Sequence, residues 1–185
     1  MEETNKGNLE QRGPRIEENV AAVLTNIETG EKRVIRTHNI ITIQGDVMYS
    51  RAAGKGINGV EIVPTIAGMR LGYNTSTPGT PGKSHTDMSM ASTPSTPFAT
   101  RVVDSGYPKV NDDDTNNPGR GSTTLSWRCS FGASEAVHVD IATLDLPNIF
   151  TAPSYSLCIA NFAAKFEKTA VNTLQVYVNH TFLGA

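Results

Sequence analysis

The chain has 185 residues, with 16 Lys and Arg against 18 Asp and Glu for a formal net charge of −2, enough length for one domain with its own core. That balance supplies no broad basic field, so nucleic-acid and membrane partners are not expected. Cys129 and Cys158 are too few for a disulfide framework and lack metal-ligand spacing, so they read as reduced, buried thiols, and no cofactor or metal is expected.

Residues 1–10 are polar and acidic, unlike a signal peptide, and no run approaches the ~18 apolar residues of a membrane span. The expectation is a soluble protein made in the cytoplasm, in which the sequons at 74–76 and 179–181 carry no weight. Residues 1–18 hold only two aliphatic interruptions, Leu9 and Ile16, with Gly13-Pro14 between them. They read as an extended arm without a core of its own, ordered by lying on a neighbouring subunit through Leu9, Pro14 and Ile16. Residues 19–185 then form a single domain.

Residues 20–27 and 34–43 are β-compatible around the turn Thr29-Gly30-Glu31-Lys32, which gives a hairpin. One short helix follows at about 44–53, ending before Gly54. A strand at 66–73 carries Gly68 and Gly72, a sign of close backbone approach or a bulge. Residues 74–97 are rich in Ser, Thr, Pro and Gly and read as a long surface excursion. Short strands at 98–103 and 107–110 flank Asp104-Ser105-Gly106, and the polar loop 111–119 leads to the strand 122–131. A turn at Gly132-Ala133-Ser134, strands at 136–144 and 155–162, a polar stretch at 165–172 and a closing strand complete the chain. Leu125, Trp127, Cys129 and Phe131 recur at period two, as do Leu174, Val176, Val178 and Phe182, and these are the two expected core faces. Strands separated by turn signals with one helix imply a mainly β protein, an antiparallel sandwich or barrel.

Residues 79–84 end like a phosphate-binding loop, but Thr77 stands where that loop needs glycine, and strand and helix flanks are missing. Asp112-Asp113-Asp114 lacks the alternating acids, central Gly and terminal Glu of a calcium loop and reads as a solvated acidic turn. His38, His85, His138 and His180 have no metal spacing. By parity His180 points inward, and His138 faces away from the side of Val137, Val139 and Ile141. There is no Gly-x-Ser-x-Gly elbow, and Cys129 lies mid-strand on a core face, so no catalytic residues are assigned and a non-enzymatic protein is expected. Trp127 reads as core packing ahead of a sugar-stacking platform.

The order of segments resembles small structural proteins of tailed-bacteriophage virions: a hairpin leading to Thr37-His38-Asn39-Ile40-Ile41-Thr42, a short helix, and Ile66-Ala67-Gly68-Met69-Arg70-Leu71-Gly72 running into a Thr/Pro-rich loop. Leu125-Ser126-Trp127-Arg128-Cys129-Ser130-Phe131 and the ending from Phe166 to Phe182 are similar to that family's closing strands. The similarity covers about residues 20–183, and this chain departs from it with Gly72-Tyr73-Asn74 where a Gly-Thr-Gly-like turn is expected. The resemblance implies a virion component of head-decoration, neck, baseplate or fibre-attachment type, working as a homo-oligomer, a trimer by analogy, bound to other virion proteins. The alternative is a receptor- or carbohydrate-recognition module that uses the 74–97 and 112–117 loops.

Overall fold

The computed structural model describes residues 15–58, 66–90, 95–151 and 154–183. Among these are ten strands: β1 (Arg15–Asn26), β2 (Lys32–Thr37), β3 (Asn39–Ile41), β4 (Gly68–Tyr73), β5 (Thr96–Val102), β6 (Lys109–Val110), β7 (Thr124–Phe131), β8 (His138–Pro147), β9 (Ser156–Lys168) and β10 (Asn172–Leu183). One α-helix, α1 (Ile43–Asn58), lies between β3 and β4. The strands form two antiparallel five-stranded sheets, ordered β2-β1-β10-β7-β6 and β3-β9-β8-β4-β5. This is the mainly β, sandwich-like architecture that the alternation implied.

Cross-strand rows explain the packing of the first sheet. Val20, Val178 and Trp127 stand side by side, as do Ala22, Val176 and Cys129, and then Leu24, Leu174 and Phe131. All nine are buried and face Leu71, Leu144, Leu146, Leu157, Phe162 and Phe166 from the second sheet. The chain changes sheets at His38, where β2 ends and β3 begins. The Thr37 hydroxyl donates to the Asn161 carbonyl at 2.5 Å at that crossing.

Several boundaries differ from the sequence reading. Residues 15–18, assigned to the arm, already belong to β1, where Ile16 stands opposite Phe182. Leu9 and Pro14 lie outside the described residues. The helix starts earlier than expected because Thr42 caps it: its hydroxyl accepts from Gly45 N at 3.0 Å and its carbonyl from Asp46 N at 2.9 Å. It also runs past Gly54 and Gly56, since glycine weakens a helix by about 1 kcal/mol without forbidding it. The stretch after 165 is not a polar break, because β9 continues to Lys168. Phe166 is buried there and the Lys168 ammonium donates to Ala133 O at 2.9 Å.

Two side-chain parities also change. Register shifts lie between His138 and Ile141 and between Ile141 and Thr143, so Val137 and Val139 are exposed while Ile141 is buried. The apolar set expected on one side of that strand is therefore divided, and His138 stacks on Tyr73 with ring centroids 4.4 Å apart. At the end of β10, Phe182 is 38% exposed and Leu125 is half-buried, so both sit at the rim of the core.

Gly68 and Gly72 justify their place in β4. A Cβ on Gly68 would run into the Arg101 carbonyl, and one on Gly72 would lie 2.5 Å from both Met88 Sδ and Thr143 Oγ1. A register shift falls at Leu71/Gly72, where β4 pairs with β5. Trp127→Ala is expected to cost roughly 3–5 kcal/mol in urea denaturation as a large core truncation. Phe182→Ala at the rim is expected to cost less than half of that, and equal losses would show that the two share one environment.

Candidate functional site

A five-stranded sheet packed on one side leaves its other face to water, yet both outer faces here carry buried residues. The second sheet is covered by residues 74–90 of the excursion. Met88 packs over Gly72 and Thr143, and Pro78, Gly79 and Pro81 lie over Ile159 and Asn161 without a water-sized gap. Backbone bonds hold this cover in place: Ser156 N donates to Thr86 O at 2.7 Å and Ile43 N to Lys83 O at 2.8 Å. Asn161 Nδ2 donates to Gly79 O at 2.6 Å. The excursion is thus a fitted plate rather than a free contact loop, ordered by hydrogen bonds that its composition does not advertise. Within residues 79–84, the carbonyls of Gly79 and Lys83 are spent on this docking.

Beneath the plate lies a buried ion pair. Arg70 donates to Asp145 through Nε at 3.0 Å and Nη2 at 2.5 Å, and to Ser154 Oγ through Nη1 at 3.2 Å. Asp145 also accepts from Ser156 Oγ at 2.7 Å and from Met88 N at 3.3 Å. Burial pushes the Asp145 carboxyl up, opposed by Arg70, Ser156 and Met88 N. Burial likewise works against the Arg70 charge, but its bonds and attraction to Asp145 prevail and its pKa is raised.

The first sheet has its own plate, residues 104–121. Asp104 accepts from Arg128 Nε at 2.7 Å and from Ser130 Oγ at 2.6 Å. Asp114 accepts from Arg128 Nη1 at 2.8 Å and from the Tyr177 hydroxyl at 2.7 Å. Asp112 accepts from the Tyr107 hydroxyl at 3.0 Å and from Asn117 Nδ2 at 2.8 Å. Asn117 and Asn179, both fully buried, exchange amide bonds at 2.8 and 3.0 Å. The expected solvated acidic turn is therefore corrected: Asp113 is exposed and paired with Lys109, while buried Asp112 and half-buried Asp114 are structural acceptors. Burial raises the Tyr177 pKa, and its bond to Asp114 adds to that. Burial opposes the Arg128 charge, and hydrogen bonds to Asp104 and Asp114 outweigh it. Both sequon asparagines, Asn74 and Asn179, are buried.

The remaining singled-out residues also have structural partners. His180 is fully buried, with Nε2 2.7 Å from Asn39 Nδ2, Nδ1 bonded to the Tyr49 hydroxyl, and its ring 5.0 Å from that of Trp127. A neutral ring fits this place, since it accepts at one nitrogen and donates at the other, one toward Asn39 and one toward Tyr49. Burial drives the pKa of His180 down to about 3. Cys129 is buried and burial pushes its thiol up to about 12, the state of an unreactive cysteine. His85 accepts from Gly82 N at 3.0 Å within its own turn.

Among the described residues three hollows remain open, one of them about 380 Å³ beside His38, Thr77, Thr80 and Phe162. At the mouth of the sandwich, Met48 and Tyr49 of α1, Leu125 and Trp127 of β7, Tyr107 and Leu157 line an apolar hollow of about 450 Å³. Tyr49 also meets the Phe182 ring edge-on at 5.6 Å. Since Phe182 stands opposite Ile16, β1 enters the fold beside this hollow. A second, shallow hollow of about 410 Å³ is lined by Phe98, Phe150, Arg70 and Asp87. Among the described residues, no group of three or more His, Cys, Asp or Glu is arranged to hold a metal ion, and no helix is long and apolar enough to cross a membrane.

No family model, no curated protein and no solved structure matches this chain.

Arg70→Met should cost about 3–5 kcal/mol because it leaves Asp145 buried without its partner. Urea denaturation should show the double variant Arg70→Met/Asp145→Leu recovering a large part of that loss. A pH effect follows from His180. Its folded pKa of about 3 lies below the ordinary histidine value of 6.5, so the unfolded chain binds a proton across that window that the fold does not. Stability is therefore complete above pH 6.5 and falls on acidification toward pH 3, by up to ~1.4 kcal/mol per pH unit. The stability advantage of the parent protein over His180→Gln should shrink as pH is lowered from 7 to 4. A constant difference would assign the slope to other groups.

Proposed function

We propose that this protein is a non-enzymatic structural component of a tailed-bacteriophage particle, binding neighbouring virion subunits through its amino-terminal segment and the outer surfaces of its loops. The observation that carries this reading is the open apolar hollow between α1 and β7, set beside the point where β1 enters the fold. An apolar mouth of this kind is a surface that a subunit contact buries. Ile16, opposite Phe182 in β1, stands at that same end of the sandwich, and Leu9 and Pro14 precede it in the sequence. The plated sheets add to the case, since a subunit held among neighbours needs fixed faces rather than moving loops. The order of segments that resembles virion proteins gives the class, and homo-oligomerisation gives the mode of action. Contacts of ~1,200–2,000 Å² between subunits would suffice for stable association.

A second reading, recognition of a receptor or carbohydrate, draws support from the shallow hollow, where Phe98 and Phe150 stand beside Asp87 and Ser89. Aromatic faces beside hydrogen-bonding groups suit a sugar. Trp127 adds nothing to it, being 4% exposed in the core.

Light scattering and native mass spectrometry of the full chain are expected to give a discrete homo-oligomer, and deletion of residues 1–14 is expected to shift it toward monomer. A monomer at all concentrations, together with saturable binding on a glycan array lost in Phe98→Ala, would replace the structural reading with the recognition reading.

A further inference from the structure

Among the described residues, four strands end the two sheets, and three of these edges are closed. β3 runs three residues and β6 two, too short to template a further strand. β5 contains Pro97, which has no N–H to offer, and pairs with β4 through a register shift. β2 is different: it runs six residues, Lys32–Thr37, in unbroken register with β1. Asn26 N donates to Glu31 O at 2.9 Å, so by the alternation of antiparallel ladders Arg33, Ile35 and Thr37 exchange bonds with β1. The N–H and C=O groups of Lys32, Val34 and Arg36 are then turned to the open side.

The charges on this edge are one-signed. Lys32, Arg33 and Arg36 are exposed, and none forms an ion pair with a described carboxylate; Lys32 Nζ donates to the Asn116 amide oxygen at 2.6 Å. Val34, 45% exposed, sits between Lys32 and Arg36 on the same side of the strand. Antiparallel pairing of two such edges about Val34 would set Lys32 against Arg36 twice, so the edge rejects a copy of itself. The same pattern favours a strand with acids opposite Lys32 and Arg36 and an apolar residue opposite Val34.

We propose that the open edge of β2 docks an extended acidic segment of a neighbouring protein, which joins the sheet as a sixth strand. The backbone groups of Lys32, Val34 and Arg36 supply the ladder, and the three cations choose an acidic strand over a neutral or basic one. The inference deepens the structural reading above and rests on it only for the nature of the neighbour: peptide binding tests the edge, whereas self-association tests the reading.

The probe is a capped seven-residue peptide with Glu at positions 2 and 6, Val at position 4 and Thr elsewhere, added to the full-length protein labelled for amide NMR, with the version carrying Lys in place of Glu, the Lys/Val peptide, as control. On binding, exchange at the amides of Lys32, Val34 and Arg36 is expected to slow at least tenfold. Val34→Pro removes an outward-facing donor while keeping the β1 ladder, and it should weaken binding at least tenfold with the melting temperature nearly unchanged. Lys32→Glu/Arg36→Glu should reverse the preference toward the Lys/Val peptide, a result that holds the proposal open to test even where Val34→Pro fails to fold. Absence of binding would overturn the proposal. So would binding that leaves those amides unprotected and survives Val34→Pro, the behaviour of a purely electrostatic site for polyanions.

Discussion

The pairing of Asp145 and Asp114 with donors from both sheet and loop is the constraint from which the rest of this architecture follows. A sandwich needs only its inner faces dry, and in most antiparallel sheets the outer face is left to water. Here each outer face is covered by a loop with too few apolar residues to hold itself down. What holds these loops are carboxylates on which both strand and loop donors converge. Asp145 takes its bonds from Arg70 on the neighbouring strand and from Met88 N in the plate. Asp114 belongs to the plate and takes its bonds from Arg128 and Tyr177 on the sheet. Buried Asp145 and half-buried Asp114 each have their full set of donors only when sheet and plate are both in place, so the covers and the sheets form cooperatively.

The same logic operates where α1 meets the core. Thr42 caps the helix and at the same time bonds β9, its N–H donating to Leu157 O and its hydroxyl to Ser156 O. Ser156 in turn donates to Asp145. The helix, the second sheet and its plate therefore share one chain of hydrogen bonds. His180 extends the arrangement to the first sheet, joining Asn39 of β3 to Tyr49 of α1 from within β10. A neutral imidazole suits that place because it donates at one nitrogen and accepts at the other, whereas a charged ring would have to donate at both.

How much of this was legible in the sequence depended on whether a residue's environment was set locally or by distant chain. Leu174, Val176 and Val178 alternate with polar residues in a strand with only the inner side apolar, and their burial follows from period two alone. Trp127 and Cys129 obey the same rule. Val137, Val139 and Ile141 share a parity in the sequence, but register shifts between β8 and β9 divide them, and no signal in residues 136–144 announces this. Phe182 carries the hydrophobicity of a core residue at the end of its strand, where there is no opposite sheet to cover it. The candidate site was harder still. Asp112-Asp113-Asp114 reads as a charge run, and only the arrival of Tyr107, Arg128, Asn117 and Tyr177 turns two of the three inward. Those donors lie up to 63 residues away. Arg70 and Asp145, 75 residues apart, carry no sequence mark of their pairing, although a lone arginine in an otherwise apolar strand was a signal that a buried acid had to exist.

The plates also decide where another molecule can bind. By tying up the loop acids and the Ser/Thr/Pro-rich excursion, the fold withdraws the polar segments that composition alone would offer as flexible contact loops. What it leaves open are the apolar mouth beside Tyr49 and Trp127, which Tyr107 of the first plate helps to line, and the sheet edges. Three of those edges are shortened or interrupted, so regular backbone pairing is confined to β2, where Lys32, Arg33 and Arg36 impose a charge requirement on whatever joins. Mouth and edge belong to adjoining parts of one hairpin system, since β1 pairs with β2 from Val20 onward and runs alone against β10 before that. An incoming chain that met the edge would thus lie close to the point where this chain's own amino-terminal segment enters. Rigid faces with a small number of chemically distinct openings give an assembly its register, because a neighbour can seat in few orientations and each wrong one leaves a cation or an apolar wall uncovered.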